Sequence, residues 1–210
     1  MSNAEFWNGM AERYARRPVQ DEETYAHTLS RVRAHLGPRD HVLEVGAGTG
    51  TTALKLADAA ERILATDYSQ AMMQIARRKV ADQGIGNVEF AVSPADLPPE
   101  GAFDAVMSFN MLHLVADPAA TVAALAARLR PGGLFISKTP CLAGAEAGWK
   151  VRALLMLLPV LQWIGKAPLV SRFDVATLEA AFEGAGLEII EAGNHSDAPP
   201  SRFIVARRPA

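Results

Sequence analysis

The sequence has little of what marks several classes of protein. Its 210 residues include one cysteine, Cys141, so no internal disulfide can form, and a reducing cytoplasm fits best. The five histidines and this cysteine show no zinc-ligand spacing, so we predict no metal site. A formal net charge of -2 gives no general footprint for nucleic acid, so we expect no nucleic-acid partner. The first residues also lack the continuous apolar stretch of a signal peptide.

The composition is that of a globular protein. Half of the residues are apolar and 21% are charged, and neither an internal repeat nor a low-complexity linker interrupts the chain. A chain of this length can bury one full core but has little room for two. We therefore predict a single domain over residues 1–210.

Short apolar segments alternate with longer amphipathic ones along most of the chain. The pattern predicts helices over 20–36, 51–60, 69–84, 118–130 and 174–187, and strands over 41–45, 61–67, 87–92, 103–110, 132–140, 187–193 and 201–208. Such alternation is typical of an α/β fold with a doubly wound parallel sheet. The last two strands are separated only by NHSDAPP, which indicates a hairpin. We expect a mostly parallel seven-stranded sheet with one antiparallel strand near its edge.

Three glycines follow the first predicted strand in HVLEVGAGTG. Gly46, Gly48 and Gly50 would let a ligand approach the backbone closely. A dinucleotide fingerprint would require its third glycine at position 51, which is Thr51. Glu44 would oppose an anionic phosphate but favour an ammonium or sulfonium group. The segment therefore predicts a ligand that carries positive charge.

An aspartate ends the second predicted strand. Asp67 stands about twenty residues after the glycines, where an acidic side chain can accept hydrogen bonds from a ribose diol. Tyr68 would add an apolar surface beside the ribose. A second interpretation is that Asp67 caps the helix that begins SQAMM.

Taken together, these segments resemble the class I S-adenosylmethionine-dependent methyltransferases, in the small-molecule branch that includes quinone-ring methyltransferases. The matching segments are VLEVGAGTG, ATDYSQAMMQIAR, FDAVMSFNMLHLVADP and LRPGGLFISKTP. The resemblance implies a Rossmann-like methyltransferase fold with a helical lid, S-adenosylmethionine as cofactor, S-adenosylhomocysteine as product and a small-molecule methyl acceptor. It also implies that residues 37–140 form the cofactor-binding core and 173–210 a final helix and strand pair.

The resemblance assigns roles to individual residues. Near the methionine end of the cofactor it places Glu44, Gly46, Ala47, Gly48, Gly50 and Asn110, the last through its backbone carbonyl; at the ribose it places Asp67, and beside the adenine Tyr68 and Met72. The aromatic segment FWNGMAERYARRP is similar to the amino-terminal lid of this branch, which implies a helical lid over 5–36 with Trp7 and Tyr14 above the cofactor. Trp7 as a core aromatic residue is the alternative.

The chain departs from the family pattern after the third strand. Members often have an aspartate there, followed by a residue whose N–H meets the adenine. This chain has Ser93 and Pro94, and proline has no N–H. We expect the Ser93 hydroxyl or a neighbouring amide to contact the adenine instead.

Residues 141–172 form an apolar, leucine-rich insertion that we expect to be helical. We favour a lid over the acceptor site, and a homodimer interface or a monotopic membrane contact are the alternatives. Four basic residues flank its apolar part: Lys150, Arg152, Lys166 and Arg172.

The chemistry of methyl transfer requires few side chains. An in-line displacement depends on the alignment of acceptor, methyl group and sulfur in a water-poor site. His113 lies just beyond the fourth strand and is the candidate general base for a hydroxyl or acidic carbon, with a structural role as the alternative. The whole pattern predicts methyl transfer to a small, apolar or aromatic molecule. A catalytically silent cofactor-binding regulator or scaffold, and more weakly a nicotinamide-dependent oxidoreductase, are the other hypotheses.

Overall fold

A twisted sheet with helices on both faces forms the core of the computed structural model, which describes residues 3–19, 21–143, 148–197 and 199–210. The helices of the described residues are α1 (Asn3–Ala15), α2 (Glu22–His35), α3 (Thr51–Leu56), α4 (Gln70–Gln83), α5 (Pro118–Ala126), α6 (Trp149–Trp163) and α7 (Val175–Gly184). The strands are β1 (His41–Val45), β2 (Arg62–Asp67), β3 (Val88–Val92), β4 (Phe103–Phe109), β5 (Leu129–Pro140), β6 (Glu188–Asp197) and β7 (Pro200–Arg207).

The seven strands lie in the order β3-β2-β1-β4-β5-β7-β6. β1 to β5 pair in parallel, and β7 runs antiparallel to both of its neighbours, β5 and β6. The prediction of a doubly wound, mostly parallel seven-stranded sheet with one antiparallel strand is confirmed. The strand order reverses between β1 and β4, and α/β sheets bind ligands beyond the carboxyl ends of the strands at such a point.

Two apolar layers cover the sheet. Side chains of α2, α3 and α4 pack on one face, and those of α5 and α7 pack on the other. Because successive residues of a strand point to opposite faces, Leu43 and Val45 enter the second layer while Val42 enters the first. Glu44 lies on the same face of β1 as Val42, so its carboxyl group is on the side of the first apolar layer.

Helix starts follow local sequence signals. The side chains of Ser69, Asp117 and Asp174 accept hydrogen bonds from backbone N–H groups three residues later, at α4, α5 and α7. Pro118 occupies the first turn of α5, where its missing N–H costs nothing. These signals explain why the predicted starts of these helices lie close to the observed ones.

Element ends differ more from the prediction. α3 ends at Leu56 and continues as a short 3-10 helix, and β5 begins at Leu129 instead of 132. The predicted connection 194–200 is largely part of the ladder, since Asn194 pairs with Arg202 and Asp197 with Pro200. Cross-strand pairing, which leaves no local signal, extends these strands.

The predicted insertion contains α6, although residues 144–147 and the side chains of Lys150 and Arg152 lie outside the described residues. Pro159 lies inside the helix and has no N–H to donate to the carbonyl of Leu155. Arg172 Nη2 donates to that carbonyl at 2.8 Å, which satisfies the freed acceptor. The assignment of 5–36 and 141–172 as lids stays a prediction, as do the other subdivisions of the chain.

Two glycines with left-handed backbones provide a matched test of packing at the start of α3. Gly50 has φ +75° and Gly84 has φ +65°, but a Cβ at Gly50 would lie 2.5 Å from the Phe90 ring and 2.9 Å from Ala76 Cβ, whereas none of the described atoms lies within 4 Å of a Cβ at Gly84. Both alanine variants incur left-handed strain, and only Gly50→Ala adds overlap, which costs about 1–3 kcal/mol.

We therefore expect Gly50→Ala to lower the free energy of unfolding by about 1–3 kcal/mol more than Gly84→Ala does. Urea denaturation of the two variants measures the difference. Equal losses would show that the space behind Gly50 is not limiting.

Candidate functional site

A cavity of about 490 Å³ opens at the carboxyl ends of the central strands, within the range of small-molecule sites. It lies at the reversal of strand order, bordered by the turns after β1, β2, β3 and β4 and by α1. The predicted site residues that line it are Trp7, Tyr14, Gly46, Gly48, Asp67, Tyr68, Met72, Ser93 and Asn110. Glu44, Ala47, Gly50 and His113, which were also predicted for the site, are not in its lining.

The three glycines of the loop after β1 serve different needs. Gly46 has φ +73°, and a Cβ there would lie 2.3 Å from Met111 Cγ, so the close approach of the loop after β4 requires glycine. Gly48 has φ +54° and faces the cavity. Gly50 packs instead against Phe90 and Ala76. The absence of a side chain at Gly50 therefore allows the start of helix α3 to pack closely, and it does not expose the backbone to a ligand.

The loop is tied to β2 by its neighbours. Ala47 N–H donates to the carbonyl of Thr66 at 2.9 Å, and Gly50 N–H donates to the carbonyl of Ala47 at 2.9 Å. Ala47 thus shapes the loop from behind the cavity surface.

Asp67 connects the glycine loop to the end of β2. One carboxylate oxygen accepts from Gly48 N–H at 3.0 Å and the other from Ser69 N–H at 2.8 Å. The N-cap of α4 is Ser69, whose hydroxyl accepts from Met72 N–H, so Asp67 supports the cap without being it. Each carboxylate oxygen has a second lone pair. The buried Asp67 group can therefore accept two further hydrogen bonds from a ligand in the cavity.

Glu44 lies beneath the loop and is 2% exposed. Burial, with a smaller contribution from the nearby Asp67 charge, raises the pKa of its carboxyl to about 8. Oε2 of Glu44 has no hydrogen-bond partner among the described residues. A ligand with a positive group near this loop would stabilise the ionised carboxylate, so the buried acid fits a cationic ligand.

Helix α1 closes one side of the cavity. Asn8 Oδ1 accepts from Ser69 Oγ at 2.8 Å and from Ala71 N–H at 3.1 Å, which fixes α1 on the start of α4. Trp7 packs with Met72 and also lines the cavity, so its two sequence interpretations, core residue and cavity wall, both hold geometrically. Its ring lies edge-on to Tyr14, with centroids 6.1 Å apart.

Two aromatic side chains of the lining carry buried polar atoms. Within the described part of the chain, neither Trp7 Nε1 nor the Tyr68 hydroxyl has a hydrogen-bond partner. Burial also raises the pKa of Tyr68, so its hydroxyl remains a donor. Buried donors without partners are uncommon in folded proteins, and a polar ligand in this cavity is one way to satisfy them.

The turn after β3 brings the predicted Ser93 to the cavity together with Pro94, Ala95 and Asp96. Ser93 Oγ donates to the carbonyl of Leu97 at 2.9 Å, and Ser93 N–H donates to the carbonyl of Asp67 at 3.1 Å. Both donors of Ser93 are therefore engaged. Asp96 also lines the cavity, and its exposed carboxylate is an acceptor that the sequence reasoning missed.

Asn110 is the one non-glycine residue with positive φ, +53°, in the described ranges. Its N–H donates to the carbonyl of Lys138 at 2.8 Å, which holds the strained turn at the end of β4. Asparagine tolerates this conformation better than most residues. The turn places Phe109, Asn110 and Met111 in the cavity wall.

Most of the missed lining residues are small or apolar. They are Asn3, Pro94, Ala95, Phe109, Met111, Leu114, Val115, Ala116, Asp117, Ala120, Thr121 and Leu169. Their shared signal is position, since most directly follow β3 or β4, where a doubly wound sheet binds ligands.

His113 lies in a short 3-10 helix after β4 but outside the cavity lining. Burial lowers the pKa of its imidazole to about 4, so the ring is neutral near pH 7. Its carbonyl accepts from Ser171 N–H at 2.8 Å. This placement gives no geometric support for His113 as a general base and favours the structural alternative.

The raised pKa of Glu44 predicts how stability depends on pH. Between its ordinary pKa of 4.5 and the folded value of about 8, the folded state holds more protons than the unfolded state. Stability must therefore fall as the pH rises through this window. His113 and His195, whose pKa values are both lowered to about 4 from 6.5, contribute only at lower pH.

We expect the free energy of unfolding of ligand-free protein to fall from pH 6.5 to 8, and Glu44→Gln to remove most of that fall. Urea denaturation at several pH values measures both slopes. Identical slopes for the two proteins would contradict the burial of an uncompensated carboxyl at this position.

Comparison with known proteins shows which family the chain resembles. Residues 42–133, from β1 into β5, match the family model described as "Methyltransferase domain". A ubiquinone biosynthesis O-methyltransferase of Xanthomonas axonopodis pv. citri (strain 306) is 38% identical over 114 residues, 52% of this chain and 47% of that protein. A demethylmenaquinone methyltransferase of Clavibacter sepedonicus is 36% identical over 100 residues, 46% of this chain and 40% of that protein. The chain thus spans about half the length of the curated relatives it matches.

A third relative carries a different acceptor in its name. The tRNA 5-carboxymethoxyuridine methyltransferase of Escherichia coli (strain K12) is 32% identical over 112 residues, 51% of this chain and 43% of that protein.

Solved structures show the same fold. In a complex between the Haloferax volcanii Trm112 methyltransferase activator and a methyltransferase, the similar chain has a TM-score of 0.75 and 21% identity, covering 100% of this chain and 99% of that one. A geranyl diphosphate methyltransferase in complex with S-adenosylmethionine has a TM-score of 0.71 and 15% identity, covering 87% and 85%.

Residues 42–133 therefore match a methyltransferase domain, and the chain is similar to class I S-adenosylmethionine-dependent methyltransferases such as that of ubiquinone biosynthesis. The predicted family is confirmed, and S-adenosylmethionine is the cofactor of this class.

Proposed function

We propose that this chain transfers a methyl group from S-adenosylmethionine to a small, largely apolar molecule. The observation that carries the proposal is the convergence of the bare glycine loop and the buried Asp67 carboxylate on one cavity at the reversal of strand order. The buried Glu44 carboxyl supports a cofactor with positive charge over an anionic dinucleotide.

Each part of the cofactor has a candidate partner. The free lone pairs of Asp67 accept from the ribose diol, and the backbone of Gly46 and Gly48 meets the methionine end. The Asn110 carbonyl accepts from the methionyl amino group, while Glu44 supplies the nearby negative charge. Ala47 and Gly50 keep the loop in shape from behind.

The adenine lies between the turn after β3 and the aromatic residues of the lining. Asp96 is the better acceptor for its amino group, because an ionised carboxylate accepts more strongly than the Ser93 hydroxyl does. Trp7, Tyr14, Tyr68 and Met72 border the ring.

When bound, the cofactor supplies an electrophilic methyl group on a sulfonium. The residues of this chain then have to align the acceptor with that methyl group and exclude water. Helix α1, fixed by Asn8 on the start of α4, covers the cavity for this purpose. No nucleophilic side chain is required, and the geometry favours catalysis by alignment over catalysis by His113.

An apolar acceptor is supported by the cavity and by the relatives. Leu114, Val115 and Leu169 give the wall beyond Asn110 an apolar character. Two of the relatives are named as methyltransferases of quinone biosynthesis. A net charge of -2 offers little attraction for the phosphates of an RNA. Location in a reducing cytoplasm, which the single buried Cys141 favours, stays a prediction.

The alternatives to this proposal differ in the acceptor or in the reaction. A tRNA acceptor is favoured by the name of one relative. A binding protein without turnover is favoured by the altered turn at Ser93 and Pro94. The [4+2]-cyclase SpnF shares this fold, with a TM-score of 0.71 at 19% identity over 88% of this chain and 80% of that one, so the fold hosts more than one reaction. A nicotinamide-dependent oxidoreductase is the weakest alternative, because Thr51 occupies the position where a dinucleotide fingerprint requires its third glycine, and the relatives are methyltransferases.

A methyl-transfer assay with labelled S-adenosylmethionine tests the proposal. The acceptors are a prenylated hydroxyquinol, an unprenylated naphthol and undermethylated bulk tRNA. We expect label in the extracted organic phase and none in tRNA. Gly46→Ala should abolish transfer, since its Cβ would collide with Met111 at 2.3 Å, and Gly84→Ala, remote from the cavity, should retain it.

Label in tRNA alone would overturn the small-molecule acceptor. Cofactor binding without transfer to any acceptor would favour the regulator or scaffold.

A further inference from the structure

Helix α6 presents an apolar face to solvent. Met156 is 79% exposed and Trp163 is 87% exposed, and Leu157, Val160 and Ile164 are also exposed on the same helix or its end. With Ala153, these residues recur at spacings of three and four, so they form one stripe, roughly 16 Å long, on the helix. The opposite side packs inward through Leu155 and Leu158, which are buried.

The segment that carries this stripe has charged residues of one sign only. Residues 147–173 contain no aspartate or glutamate but contain Lys150, Arg152, Lys166 and Arg172. Lys166 and Arg172 are exposed. An apolar stripe with basic residues and a tryptophan is the composition of helices that lie in the interface of a membrane.

We propose that the exposed face of α6 binds an anionic lipid surface, with α6 lying in the plane of the interface. The apolar stripe would enter the boundary between headgroups and acyl chains, and the basic residues would meet anionic headgroups. Among the described helices, none has both the length and the apolarity required to cross a bilayer.

Charge argues for lipid over a second copy of the chain. A twofold dimer uses the same patch on both subunits, so it would bring the exposed Lys166 and Arg172 of each subunit toward those of the other. No acidic residue within 147–173 would compensate them. An anionic lipid surface complements the same charges, and each basic residue near it contributes about 1 kcal/mol.

The position of α6 connects this surface to the cavity. Leu169, shortly after α6, lines the cavity. Ser171 N–H donates to the His113 carbonyl, and Ser171 Oγ donates to the Val115 carbonyl at 2.5 Å, so this segment is attached to the loop after β4. If the proposed function is correct, an apolar acceptor dissolved in lipid would enter beside α6. The lipid contact itself does not depend on the acceptor.

Vesicle flotation of the full chain tests the contact. The vesicles are phosphatidylcholine alone and phosphatidylcholine with phosphatidylglycerol. We expect the protein to float with the anionic vesicles only, and less so at high salt. The double variant Met156→Ser/Trp163→Ser should lower the partition by roughly tenfold or more, since it removes two apolar side chains from the interface.

The matched control is Val19→Ser/Val92→Ser, which removes two exposed apolar side chains far along the sequence from α6 and should bind as the unchanged protein does. Lys166→Glu leaves the stripe intact and should weaken only the anionic contact. Circular dichroism verifies that the variants fold.

Absence of flotation, or equal flotation of all variants, would overturn the proposal. So would a dimer in sedimentation velocity that the double variant dissociates while flotation is unchanged. Titration of the same samples with S-adenosylmethionine separates a failure of the lipid contact from a failure of the cofactor site.

Discussion

The carboxylate of Asp67 sets the geometry on which the candidate site depends. It accepts from Gly48 in the loop after β1 and from Ser69 at the start of α4, at 3.0 and 2.8 Å. A single buried side chain therefore joins the glycine loop to the start of α4. Helix α1 is attached to the same region, here called the Asp67 corner, because Asn8 Oδ1 accepts hydrogen bonds from Ser69 and Ala71.

This corner carries an electrostatic cost that a ligand would relieve. Glu44 and Asp67 are two buried acids near one loop, and burial raises the pKa of both carboxyl groups. Anionic pyrophosphate would add to the repulsion, whereas a sulfonium and an ammonium group would reduce it. The buried acids around the loop are therefore compatible with the sulfonium cofactor of this class.

Much of the fold could be predicted from sequence because its signals are local. Periodicity located the helices and strands, and Ser69, Asp117 and Asp174 marked helix starts. Contacts between distant segments left no such signal. The need for glycine at position 50 comes from Phe90 and Ala76.

Prediction of the candidate site was limited in the same way, because contacts between distant segments leave no local signal. Gly46, Gly48 and Asp67 line the predicted cavity because motif positions are fixed by the turns that follow β1 and β2. Asp96 was missed because an exposed aspartate in a turn resembles any solvated charge. His113 was predicted from its position after β4, but the orientation of a side chain in a 3-10 turn is decided by packing.

Calorimetric titration of ligand-free protein with S-adenosylmethionine, S-adenosylhomocysteine and NAD tests the central claim, that the corner organised by Asp67 binds an adenosyl sulfonium cofactor. The account predicts binding of the first two and none of NAD. It also predicts that Asp67→Ala weakens binding by about 1–3 kcal/mol while the exposed control Asp82→Ala has no effect. Binding of NAD, or unchanged affinity in Asp67→Ala, would contradict it.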